Sequence, residues 1–201
     1  MSGWEFKKRT NDSYLLMTGA PGSRWSGVAN TIYASRDFDH TDSSDKRSYS
    51  HHNGLVHGGA YFDPEMEFEF RKDRWDRPFS GEGVRLIKSH TLATHLSNYR
   101  KYNIVMVYRN SWDCWEWWNE CGGFDIAYPS YKWYRNQDRM YEQIQLQNQG
   151  IMRFIYNYRE NVTECADNYE VLTTLGMNFT GVKIEEYKEK DLKVYVYQPS
   201  H

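Results

Sequence analysis

The chain has 201 residues, 39% apolar and 17% aromatic, with 25 basic against 27 acidic side chains. That length suits one domain, spanning 1–201, which buries about 70% of the surface its unfolded chain exposes; Tyr and Trp rings supply core volume that the aliphatics leave short. The near-neutral balance argues against a nucleic-acid or anionic-membrane partner, and no apolar run reaches transmembrane length.

The N-terminal "MSGWEFKKRTND" carries no apolar stretch of the signal-peptide kind. Cys114, Cys121 and Cys165 form neither a C-x-x-C pair nor an even-numbered framework. Both features predict a cytoplasmic protein with reduced thiols. The first periodic element is "SYLLMTG", a buried strand. After the break "APGSR" comes "SGVANTIYAS", a helix with Val28, Ala29 and Ile32 facing inward. Arg36 to Asn53 is rich in Asp, Ser and His and reads as a loop or lid. "DPEMEFEFRKDRWDRP" alternates as an edge strand would, and "GVRLIKSH" is a short strand ending in polar groups.

"TLATHLSNYRKYN" then reads as a helix and "IVMVYR" as the clearest strand in the chain. "NSWDCWEWWNE" is a helix capped by Asn110 or Ser111, with most of its tryptophans expected in the core. From Tyr131 to Tyr158, Met140, Ile144, Ile151, Phe154 and Ile155 recur at helical spacing. "CADNYEVLTTLGM" makes a further helix ended by Gly176; after the charged turn "EEYKEKD", "LKVYVYQPSH" alternates as a strand. Strands alternating with helices predict an α/β three-layer sandwich around a mainly parallel central sheet.

In such a sheet, ligands collect at the carboxyl ends of the strands. Three predicted strands end in reactive groups: the first in Ser23, Arg24 and Ser26, the second in Lys88-Ser89-His90, the third in Arg109-Asn110. A glycine-bearing turn entering a helix favours an anion, since its free N–H groups and the helix dipole both point there. Lys88 and His90, at i and i+2, are expected on one strand face. The other role open to His90 is capping the helix that starts near Thr91. His51, His52 and His57 match no common metal-ligand spacing, so no metal site is expected and they read as a solvated loop.

In order and content these three strand ends resemble the PAPS-dependent sulfotransferases, which share a P-loop-like fold. That family has a P-x-S-G-T-T type loop for the 5'-phosphosulfate, then K-[TS]-H with a catalytic histidine base, then R-[ND]-P-x-D whose arginine holds the 3'-phosphate. The matching residues are Pro21-Gly22-Ser23-Arg24-Trp25-Ser26, Lys88-Ser89-His90 and Arg109-Asn110-Ser111-Trp112-Asp113, about thirty of the 201 residues with their flanks.

The resemblance implies a P-loop NTPase-like, sulfotransferase-like fold. The implied activity is transfer of a sulfuryl group from PAPS (3'-phosphoadenosine 5'-phosphosulfate) to a hydroxyl or amine on a small-molecule or glycan acceptor. His90, Lys88 and Arg24 are then the catalytic groups. Gly22, Ser23, Arg24, Trp25, Ser26, Gly27, Arg109 and Trp117 bind the cofactor, with no metal. The loop lysine of many family members falls at Gly22, and Arg24 is taken to supply that charge because a guanidinium binds phosphate oxygens bidentately. Trp25 is a candidate to stack on the adenine. Trp117 stands eight positions after Arg109, where the family has a serine, and no R-K-G type motif follows. Two other readings stay open: a sulfotransferase-fold nucleotide-binding protein without catalysis, and a small P-loop kinase.

Overall fold

Every position of Tyr14–Gly19 is buried, and this segment forms β1 in the middle of a sheet. The structure, a computed structural model, describes residues 11–41, 58–62, 64, 82–125, 132–184, 187 and 192–200. After β1 the elements are α1 (Trp25–Ile32), β2 (Ala60–Tyr61), β3 (Arg85–Lys88), β4 (Asn103–Tyr108) and α2 (Ser111–Glu120). Then come α3 (Gln137–Asn157), β5 (Val162–Cys165), α4 (Asn168–Thr174) and β6 (Lys193–Tyr197).

The sheet runs β2-β3-β1-β4-β6-β5. The pairs β2–β3, β3–β1 and β1–β4 are parallel, whereas β6 is antiparallel to both of its neighbours. The chain is therefore α/β, with a six-stranded mixed, mostly parallel sheet flanked by helices. Strand alternation divides the core between the two faces. Leu16, Ile87, Ile104 and Met106 pack against Ile151 and Phe154 of α3 and against Leu92 and Leu96. On the other face Leu15, Met17, Leu86, Val105 and Val107 pack against Val28 and Ile32 of α1 and Val171 and Leu172 of α4.

The helix predicted over "TLATHLSNYRKYN" is instead two 3-10 turns, Thr91–Thr94 and Leu96–Tyr99. His95 between them leaves the helical region at φ −119° and ψ 7°. The short turns still bury Leu92, Ala93, Leu96 and Tyr99. Two strands escape a pattern reading: β2 is only two residues long, and β5 buries only Cys165. The start of the polar segment after Arg36 is anchored to the sheet, because Phe38 is buried and forms a parallel bridge with Val84. The rest of that segment, with His51, His52 and His57, lies outside the described residues. So do the "DPEMEFEFRKDRWDRP" strand and the "EEYKEKD" turn, Pro64 and Tyr187 apart. Among the described residues no helix is long and apolar enough to cross a membrane.

Candidate functional site

The connection leaving β1 passes through α1 on one face, while the one leaving β3 passes through the 3-10 turns on the opposite face. The chain thus departs in opposite directions from two adjacent parallel strands, which opens a crevice at their carboxyl ends. The loop Ala20–Arg24 stands at this point, with the end of β3 on one side and the end of β4 on the other.

The loop is built by close approaches. Gly22 has φ +78°, and a β-carbon there would lie 1.8 Å from the Cys114 carbonyl oxygen, so only glycine lets the loop touch the backbone of α2. Ser23 is fully buried, its N–H donates to the Ala20 carbonyl at 3.0 Å, and its Oγ has no hydrogen-bond partner among the described residues. Arg24 is the N-cap of α1 in the left-handed region (φ 64°, ψ 16°), and no side chain caps the helix. Its N–H groups and dipole therefore face the crevice side, as an anion requires. Ser26 is half-buried in the first turn, and Gly27 is exposed with open space around it. These features suit a bound anion.

Two expectations for the loop are corrected. Trp25 is 7% exposed, in the apolar cluster with Val28 and Val107, because the first turn of α1 lays its ring against the sheet. It presents no open face to a base. The Arg24 guanidinium lies 4.6 Å from the centre of the Trp117 ring, a cation–π contact that holds the charge on α2. Trp117 thus touches the loop through Arg24.

The Lys88-Ser89-His90 segment is also rearranged. Lys88 continues the alternation of β3, in register with Met17 and on the same side as Leu86, so it is buried on the α1 face. His90 has already left extended backbone (φ −70°, ψ −29°), which breaks the i, i+2 relation. Its ring turns to the α3 face, where Nδ1 lies 3.3 Å from the Gln147 amide nitrogen and the Trp133 ring stands edge-on at 5.7 Å. Lys88 and His90 do not share a face. Nor does His90 cap the following turn: the Ser89 hydroxyl accepts from the Thr91 N–H at 3.1 Å and pairs with Thr91 Oγ1 at 2.8 Å. The Thr18 hydroxyl donates to the His90 carbonyl at 3.3 Å, tying the end of β1 to that of β3.

At the end of β4, Asn110 caps α2 by accepting from the Trp112 N–H at 2.9 Å. Arg109 is half-buried beside it. The tryptophans of α2 divide: Trp115 and Trp118 are half-buried and pack against the cluster of Ala20, Cys114, Met140 and Ile144, while Trp112 is 52% exposed and stacks on Trp115 at 5.2 Å.

Three residues the sequence did not flag complete the crevice. Gln147 and Asn148 of α3 are buried, and Asn148 donates to the Arg109 carbonyl at 2.7 Å and to the Ser111 hydroxyl at 3.0 Å. Ser111 stands beside Arg109 in the chain and accepts from Asn148. A β-carbon on Gly150 would lie 2.3 Å from the Ala93 carbonyl oxygen, so glycine seats α3 close enough for Gln147 to reach His90. Their separations in sequence, 57 and 39 residues, leave no local signal of these contacts. Among the described residues no His, Cys, Asp or Glu cluster suits a metal ion. Comparison with protein-family models, curated proteins and solved structures gave no match.

Proposed function

We propose that the chain is a sulfotransferase-like protein that binds PAPS across the carboxyl ends of β3, β1 and β4. It would move the sulfuryl group to a hydroxyl or amine of a small-molecule or glycan acceptor. The observation that carries the reading is the adjacency of the three strand ends in parallel register. The loop lies at the centre, Lys88 and His90 flank it on one side and Arg109 on the other.

In this reading the loop N–H groups, Ser23 and Ser26 receive the 5'-phosphosulfate, and Arg109 with Ser111 receives the 3'-phosphate. Lys88 lies on the α1 side of the sheet and bears on the anion, not on His90. His90 serves the acceptor from the α3 side. The acceptor oxygen or nitrogen bonds to sulfur as the bond from sulfur to the bridging phosphate oxygen breaks. Adenosine 3',5'-bisphosphate leaves, and the acceptor's proton passes to His90. As the Gln147 amide stands, its N–H donates to Nδ1 and the ring proton sits on Nε2. Turning the amide so that Oε1, which has no hydrogen-bond partner among the described residues, accepts from Nδ1–H frees Nε2 to take the acceptor's proton. Such a base contributes about 10²–10⁴-fold. Cationic groups at the bridging oxygen stabilise the charge that develops there.

A second reading, nucleotide binding without catalysis, is favoured by two observations: Lys88 and His90 occupy opposite faces, and the Arg24 charge rests on Trp117. Thermal unfolding tests the shared premise. Adenosine 3',5'-bisphosphate at a hundredfold excess over Kd should stabilise the chain by about 2.7 kcal/mol. Absence of a shift overturns both readings, and stabilisation by ATP with Mg²⁺ alone identifies a kinase instead. Sulfuryl transfer to an acceptor panel separates the two. It should occur in the native chain and vanish in His90→Ala, which keeps its nucleotide affinity. Binding without transfer selects the second reading, and undiminished transfer by His90→Ala removes the histidine's role.

A further inference from the structure

The Asn148 side chain, 3% exposed, can be oriented without ambiguity. The amide atom that faces the Arg109 carbonyl at 2.7 Å must be the nitrogen, because a carbonyl oxygen only accepts. That nitrogen's two hydrogens are both used, one on Arg109 and one on the Ser111 hydroxyl at 3.0 Å. The remaining atom, Oδ1, is buried and has no hydrogen-bond partner among the described residues. A buried acceptor left unmatched is unfavourable, and in native proteins such an atom commonly has a role.

Oδ1 rejects a phosphate oxygen and accepts only from a donor. Ser111, whose oxygen receives the Asn148 hydrogen bond, keeps its own proton to give. An acceptor and a hydroxyl donor therefore stand side by side at the end of β4, next to Arg109. The ligand surface complementary to that arrangement is a hydroxyl adjacent to an anionic oxygen. In a 3'-phosphorylated ribose the 2'-hydroxyl and the 3'-phosphate occupy neighbouring carbons and offer that pair.

We propose that Asn148 reads the ligand's ribose, accepting a hydrogen bond from the 2'-hydroxyl while Ser111 and Arg109 meet the phosphate. This rests on the nucleotide reading above and adds a specificity residue to it. Asn148 discriminates ribose from deoxyribose, a property separate from phosphate affinity.

The test is calorimetric titration of the whole chain with adenosine 3',5'-bisphosphate and with 2'-deoxyadenosine 3',5'-bisphosphate. The native chain should bind the first about tenfold more tightly, the size of one lost hydrogen bond. In Asn148→Ala the ratio should fall to near one, whatever happens to the absolute affinities. If Asn148→Ala does not fold, the native chain's Asn148 side-chain amide resonances supply the second reading. They should move with the ribose ligand and stay in place with the deoxyribose ligand. Equal affinity of the native chain for both ligands, a preference retained in Asn148→Ala, or resonances that move alike with both overturns the role of Asn148 and leaves nucleotide binding standing. Failure of both ligands to bind overturns the nucleotide reading and this inference together.

Discussion

At the carboxyl ends of β3, β1 and β4 the molecule buries Thr18, Ser23, Lys88, Ser89 and His90, and α3 adds Gln147 and Asn148. Along β6 and β5 the buried side chains are Val194, Tyr195, Val196, Tyr197 and Cys165. The antiparallel half keeps its charges outside, with Lys193 and Glu164 3.4 Å apart and each about half exposed. Its titratable interior groups are neutral thiols and phenols. Burial pushes the Cys165 thiol up to about 11 against an opposing hydrogen bond to Thr174, with Glu170, Asp167 and Glu164 adding to the rise. Burial, then the neighbouring Glu164, pushes the Tyr195 phenol up to about 12. One half is thus packed for stability, while the other carries buried polar groups that cost stability and that a ligand can match.

The most severe way to break this contrast is at Gly22. Gly22→Ala combines a left-handed φ with a β-carbon 1.8 Å from the Cys114 carbonyl. The expected loss is about 3–5 kcal/mol, measured by urea denaturation, together with loss of nucleotide binding. A change below about 1 kcal/mol would show that the loop does not need its contact with α2.

Arg109→Ala acts on the ligand instead. It should weaken adenosine 3',5'-bisphosphate by about 1.5–3 kcal/mol and leave adenosine 5'-monophosphate nearly unchanged. Equal weakening of both by titration would remove Arg109 from the 3'-phosphate.

Gly150→Ala sharpens the contrast from the helix side. The added methyl meets the Ala93 carbonyl, and the gain in helix propensity of about 1 kcal/mol offsets part of the cost, leaving a net loss of about 1–2 kcal/mol. The His90 ring resonances should shift as α3 moves away. Unchanged resonances would mean that Gln147 reaches His90 without that close approach.

The antiparallel half should answer to alkaline pH. Protonated thiols and phenols are neutral, so a raised folded pKa means that the unfolded chain ionises first and stability falls. The Cys165 contribution is intact below pH 9 and lost between 9 and about 11; that of Tyr195 is lost between 10 and about 12. Unfolding temperature followed from pH 8 to 12 should decline over this range, and Cys165→Ala should remove the earlier part of the decline. The smallest effect is expected from Lys193→Ala: an exposed ion pair contributes at most about 0.5–1 kcal/mol, and nucleotide affinity should not change.

Local pattern in the sequence determined β1, β4, α1, α2, α3 and α4, narrowed the cap of α2 to Asn110 or Ser111, and set the chain order of the three reactive strand ends. These depend on side-chain period and capping chemistry within a few residues. Only the tertiary structure decided what those ends present. A single backbone turn at His90 separated it from Lys88, packing of the first turn of α1 against the sheet took Trp25 into the core, and close approach at Gly150 brought Gln147 to His90. Asn148 reached Arg109 by the same packing of α3, across 39 residues. Such contacts follow from how helices seat on a sheet, and helix seating is set by backbone approaches between distant segments that no local period encodes.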